Sequence, residues 1–122
     1  TATPTTINFD TEIFDVGGCF AGGTSTKLTC PTGGNGTYYI LGQVGYDTSA
    51  AGVRVVHMMK NGVTFLGSLT VVPLSGTVTI LQLSAIDQLV AGDYVELVAY
   101  QDSGGNLDVG ASRNALSWIK VW

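Results

Sequence analysis

Residues 26–46 read TKLTCPTGGNGTYYILGQVGY, and the alternation in their second half decides the fold class. From Thr37 onward, Tyr38, Ile40, Gly42 and Val44 fall on one side and Tyr39, Leu41, Gln43 and Gly45 on the other. A period of two belongs to a strand with one buried face, not to a helix. A shorter strand precedes it and ends at Cys30-Pro31. The intervening Thr32-Gly33-Gly34-Asn35-Gly36 is turn chemistry, because glycine and asparagine tolerate positive φ.

The same grammar extends outward in both directions. Residues 53–60 (VRVVHMMK) meet Asn61-Gly62 and then a second apolar run over 63–72. Asn-Gly between two such runs predicts a hairpin in which both central residues take positive φ. Pro73 marks an edge or a bend. Residues 77–83 (TVTILQL) alternate again. Residues 83–90 (LSAIDQLV) carry some helical spacing and read as a single turn between strands. Gly92-Asp93 leads into 94–101 (YVELVAYQ), and 107–109 and 116–121 complete the set. Upstream, 7–9, 12–15 and 19–20 read as short strand pieces. About ten short strands punctuated by glycine predict an all-β, two-sheet sandwich of jelly-roll type. Residues 1–6 read as a polar lead-in and residues 7–122 as one domain.

Charged residues make up only 11% of the 122 and hydrophobic ones 45%. About a quarter charged is usual for a globular domain. Part of the surface is therefore expected to be covered, most simply by further copies of the chain. A formal net charge of −4 with five scattered Lys and Arg residues disfavours nucleic acid as a partner. No apolar run approaches the roughly 20 residues of a membrane span, so no membrane insertion is expected. The opening TATPTT has neither a basic start nor an apolar stretch, so no targeting signal is read there.

Cys19 and Cys30 each end a probable strand, with a Gly/Ser/Thr loop between them. Oxidised, they would close a short loop worth about 2–3 kcal/mol and argue for an extracellular setting. The other reading is two buried thiols. Two thiols without a pair of histidines are not a zinc site.

Several segments in order carry a family resemblance: Asn8-Phe9 with Phe14 soon after, Thr26-Lys27-Leu28-Thr29-Cys30-Pro31, Gly36-Thr37-Tyr38-Tyr39-Ile40, Lys60-Asn61-Gly62, Leu89 followed by Gly92-Asp93-Tyr94-Val95-Glu96-Leu97, and a closing strand over 116–121. Together they resemble the globular head of the C1q/TNF-like superfamily. The resemblance implies a ten-stranded jelly roll assembled as a compact homotrimer, often at the tip of a stalk, that acts by binding. The closing ALSWIKVW and the short Gly/Ser/Thr-rich loops look most like heads of phage fibres, capsid decorations and bacterial surface proteins. The implied setting is a virion surface or the extracellular space. The implied partners are a host-surface glycan or protein receptor and a capsid or fibre protein. A secreted C1q-domain pattern-recognition lectin is the alternative. No cofactor is expected.

Tyr39, Leu41, Val56, Met58, Tyr94, Val98 and Tyr100 fall opposite the residues read as core-facing, and two apolar faces on one sandwich suggest that one is a trimer interface. Thr24, Ser25, Thr48, Ser49, Ser103 and Asn106 lie in small polar loops, the usual seat of recognition on a rigid scaffold. His57, the only histidine, is in step with Val53, Val55 and Met59 and reads as a buried or interfacial structural residue. A catalytic base would need a nucleophile beside it, and no Gly-x-Ser-x-Gly elbow is present. No catalytic residue is assigned. Asp10, Glu12 and Asp15, with Asp87, Asp93, Asp102 and Asp108, lack the spacing of a calcium loop and read as solvated turn carboxylates, so no metal is expected. Trp118 and Trp122 share one face of the last strand and read as core or interface anchors.

Overall fold

The computed structural model describes residues 3–9, 26–109 and 114–122. Among these, eight strands form: β1 (Thr5–Thr6), β2 (Leu28–Thr29), β3 (Gly36–Tyr46), β4 (Arg54–Lys60), β5 (Thr64–Val71), β6 (Thr79–Leu89), β7 (Tyr94–Gln101) and β8 (Ala115–Lys120). The expectation was about ten. The pieces read at 12–15 and 19–20 lie outside the described residues, and 107–109 contributes only an isolated bridge from Val109 to Tyr46. No described helix is long and apolar enough to cross a membrane.

The strands make two sheets packed as a sandwich. One runs β1-β7-β4-β5, with β2 also paired to β7; the other runs β6-β3-β8. Every pairing is antiparallel. β3 is the centre of its sheet, pairing with β6 over its whole length and with β8 over Tyr38 to Gln43. The alternation read from the sequence holds there. Tyr38, Ile40 and Val44 are buried and Leu41 is exposed. They join Leu81 and Leu89 of β6, Val95, Leu97 and Ala99 of β7, and Ile7, Cys30 and Tyr46 in one core. Each large side chain so buried contributes about 1.5–3 kcal/mol. Gly42 sits in this inward row because its Cβ would come within 2.7 Å of Leu97 Cδ2.

The β4–β5 turn follows its chemistry. Asn61 and Gly62 take φ of 54° and 74°, and the Val63 N–H donates to the Lys60 carbonyl at 3.2 Å. A register shift then follows between Met58 and Met59.

Two readings are corrected. Residues 83–90 are not a turn between strands: β6 runs unbroken from Thr79 to Leu89. Leu81 and Leu89 are buried and Leu83 and Ala85 half-buried, while Gln82, Ser84, Ile86 and Gln88 point out. The helical spacing of Leu83, Ile86 and Leu89 is incidental to an alternation that never breaks.

The second correction concerns β4. Val56 and Met58 are fully buried members of the core, not outward-facing interface residues. The sequence places them in phase with Arg54 and Lys60, and charged ends pull that phase toward water. The structure turns the same phase inward. Arg54 is itself fully buried, and Lys60 reaches across to Asp87 of the opposite sheet at 2.9 Å.

Candidate functional site

The residues singled out as an interface divide between two outer faces. Tyr39 and Leu41 lie on the outside of β6-β3-β8. Tyr94, Val98 and Tyr100 lie on the outside of the other sheet, where Val98 faces His57 and Tyr100 faces Val55 across β4.

The β6-β3-β8 face is the more apolar. Tyr39 is flanked by Ile86 on β6 and Ile119 on β8; Leu41 is flanked by Ser84 and Ser117. Exposure reaches 66% at Ile86, 62% at Ile119, 50% at Ile80 and 42% at Leu41, and no charged side chain stands in these rows. Strand alternation generates the patch: each outward position of β3 meets an outward position on both neighbours. Ile86 and Ile119 went unrecognised as interface candidates. Their signal is period-two alternation through 79–89 and 115–120, obscured in the first by its resemblance to a helical turn. Trp118 turns inward and packs on Tyr38 with ring centres 4.9 Å apart. Trp122 lies beyond the end of β8 and is 89% exposed, so the two tryptophans do not share a role.

On the other face His57 is half-buried. Its Nδ1 is 2.8 Å from Ser68 Oγ, and its ring meets Phe65 edge-on at 5.0 Å. Lys27 Nζ sits 4.1 Å from the centre of the Tyr94 ring, and the Thr26 hydroxyl donates to Glu96.

The loop candidates converge at one pole. Thr48 and Ser49 belong to the β3–β4 connection and Ser103 and Asn106 to the segment after β7. The Val53 N–H donates to Asp102 Oδ1 at 2.6 Å and ties the two together. Arg54 shapes the first loop from beneath: Nη1 donates to the carbonyls of Ala51 at 2.8 Å and Val53 at 3.0 Å, and Nη2 to that of Ser49 at 2.9 Å. Gln101, also buried, shapes the second. Its Nε2 donates to the Gly105 carbonyl and its Oε1 accepts from the Ser103 N–H. Thr24 and Ser25 lie outside the described residues, as do Asp10, Glu12, Asp15 and Cys19. The Cys30 thiol is buried, 3.7 Å from the Tyr38 hydroxyl.

Beside these loops a cleft of about 480 Å³ opens between segment 3–8, Tyr46, the end of β7, segment 106–109 and Asn114. Tyr46 is pinned at its edge, its hydroxyl 2.6 Å from the Val55 carbonyl and 3.0 Å from that of Tyr100. Burial pushes its pKa from 10.0 up to about 12.

The opposite pole is clamped. Lys60 Nζ bonds Asp87 and the Gln88 carbonyl. Asn61 donates to Asp93 and accepts from the Tyr94 N–H. Asp93 Oδ2 accepts the Val90 N–H. That backbone bond, with the one from Asn61, holds the Asp93 carboxyl below its usual range. Asp87 and Asp93 thus serve the fold. Among the described residues no three of His, Cys, Asp and Glu come together as metal ligands would.

No family model matches the chain. Among curated proteins it is similar to an uncharacterized protein of Acanthamoeba polyphaga mimivirus, 29% identical over 108 residues. The match covers 84% of this chain but 45% of that protein, so the chain spans less than half the length of this relative.

Proposed function

We propose that this chain is a C1q/TNF-like jelly-roll head that assembles as a homotrimer and serves as a non-enzymatic head of a virion or surface fibre, binding a host surface or capping a fibre or capsid. The observation that carries the reading is the uncharged, apolar outer face of β6-β3-β8. Tyr39, Leu41, Ile86 and Ile119 stand together there with three of the four well exposed or more. Burying such a surface against copies of itself is the simplest way to withdraw it from water. The low charge content supports the same conclusion. Three copies on one particle would make weak individual contacts act together.

Similarity to a mimivirus protein favours the virion setting over the alternative of a secreted C1q-domain lectin. Mass in solution tests the assembly: about three times 12.7 kDa is expected, and a monomer at micromolar concentration overturns it.

A further inference from the structure

We infer that Asn35 is a site of spontaneous covalent modification, a deamidation that turns Asn35-Gly36 into an aspartyl or isoaspartyl link, and that the fold directs this chemistry to Asn35 and away from Asn61. This goes beyond the reading of the chain as a binding head and does not depend on it.

The sequence holds two Asn-Gly pairs, Asn35-Gly36 and Asn61-Gly62. Glycine leaves the peptide nitrogen that follows each asparagine sterically open. In the reaction that nitrogen gives up its proton to solvent and bonds to the asparagine Cγ. The Cγ–Nδ2 bond breaks, and the amide nitrogen takes a proton and leaves as ammonia. The five-membered imide then adds water at either carbonyl, giving aspartate or isoaspartate. Negative charge builds first on the glycine nitrogen and then on Oδ1, so groups that stabilise an anion at those atoms set the rate.

The two sites differ in those groups. Asn35 is exposed, in the turn just before β3. The Ala91 N–H donates to its Oδ1 at 2.8 Å, where the oxyanion forms. Lys120 Nζ stands 3.4 Å from the position of a Cβ on Gly36, an ammonium beside the attacking nitrogen. Asn61 Oδ1 also accepts a backbone N–H, from Tyr94 at 3.0 Å, but its Nδ2 is held at 2.9 Å by the Asp93 carboxylate. That sets a negative charge against the one the reaction must build. Lys60, the nearby cation, divides its ammonium between Asp87 and Asp93. Asn61 is also fixed at φ 54° in a turn closed by the Val63 N–H. With both ends of its amide tied, its Cγ reaches the Gly62 nitrogen only by breaking the clamp.

Conversion has a structural consequence. An isoaspartyl link adds one methylene to the main chain just ahead of Gly36. There is no slack at that point, since even a Cβ on Gly36 would collide with the Trp122 carbonyl oxygen. The Thr37 N–H donates to that carbonyl at 3.0 Å, and the Thr37 carbonyl accepts the Val121 N–H at 2.8 Å. The modified chain should therefore loosen its last two residues from β3.

Tryptic mass spectrometry of the whole chain, held folded at 37 °C and pH 8, tests the assignment. Asn35 should gain about one dalton roughly tenfold faster than Asn61, a difference of about 1.4 kcal/mol in barrier. Asn35→Gln should abolish the gain in peptide 28–54. Lys120→Ala should slow Asn35 about threefold, the scale of one solvent-screened charge, and leave Asn61 unchanged. Concentrated urea should bring the two sites to about the same rate, because the difference belongs to the fold. Equal rates in the folded chain, faster conversion at Asn61, no conversion at Asn35, or a difference that survives in urea overturns the inference. An unchanged rate in Lys120→Ala overturns the part given to that ammonium.

Discussion

The Arg54 Cζ lies 6.0 Å from the centre of the Tyr46 ring, and both side chains are shut off from solvent. The Arg54 hydrogen bonds run to backbone carbonyls rather than to a carboxylate, and Nε finds no acceptor among the described residues. A buried cation held this way is an organising centre for the β3–β4 loop. Arg54→Met should destabilise the chain by about 3 kcal/mol, because an apolar side chain of similar length strands three carbonyls. Arg54→Lys should recover only part of this, since one ammonium lacks the planar fork. Urea unfolding monitored by tryptophan fluorescence measures both.

Tyr46 should impose an alkaline limit on stability. Its folded pKa is raised to about 12, so the neutral phenol favours the fold. That contribution is complete below pH 10 and fades as pH climbs toward 12. Tyr46→Phe should flatten melting temperature against pH in this window, at a cost of about 1 kcal/mol at neutral pH from the lost hydroxyl bonds. In wild type, tyrosinate absorbance should show a late-titrating ring that Tyr46→Phe removes.

Asp93 should show the converse at acid pH. Its folded pKa lies below the ordinary carboxylate value, so it stabilises above that value and ceases to do so as protonation proceeds. Asp93→Asn should reduce the loss of melting temperature on going from pH 6 to pH 3. An unchanged acid profile would place the sensitivity elsewhere.

The two outer faces make different predictions for assembly. Leu41→Glu and Ile86→Glu should lower the mass seen by light scattering toward 12.7 kDa while leaving the circular dichroism of the fold intact. Val98→Glu, on the opposite sheet, should leave the assembly whole. If Val98→Glu alone dissociates it, the interface lies on the β1-β7-β4-β5 face instead.

Gly52 and Gly76 share a positive φ, 69° and 78°, but not a neighbourhood. A Cβ on Gly52 would lie 2.6 Å from the Asp102 backbone, whereas one on Gly76 meets nothing within 4 Å. Gly76→Ala should cost about 1 kcal/mol of backbone strain. Gly52→Ala should cost roughly 2 kcal/mol more, because the two loops at that pole are forced apart. Paired denaturation curves decide this.

How much of the fold could be read in advance depends on where the apolar residues sit. β3 and β7 alternate with one clearly greasier phase, and their inward rows were legible. β4 reads RVVHMMK, apolar in both phases, so period alone leaves its face undecided. The charges at its ends pointed the wrong way because each finds a partner that no local rule supplies, carbonyls for Arg54 and Asp87 for Lys60. The Asn61-Gly62 turn was legible because its requirement is local. The outer patch was half legible: Tyr39 and Leu41 come from β3 itself, but Ile86 and Ile119 depend on which strands flank it. The cleft was hidden, since its walls come from segments distant in the chain that meet only after folding.

The Lys60–Asp87 bond reaches from one layer to the other at the pole where β4 ends, and the Tyr46 hydroxyl does the same at the opposite pole, where it meets the Val55 and Tyr100 carbonyls. The sandwich is therefore riveted at both ends, by a charged pair at one and by an uncharged phenol at the other. Salt and acid should loosen only the first rivet, and strong alkali only the second.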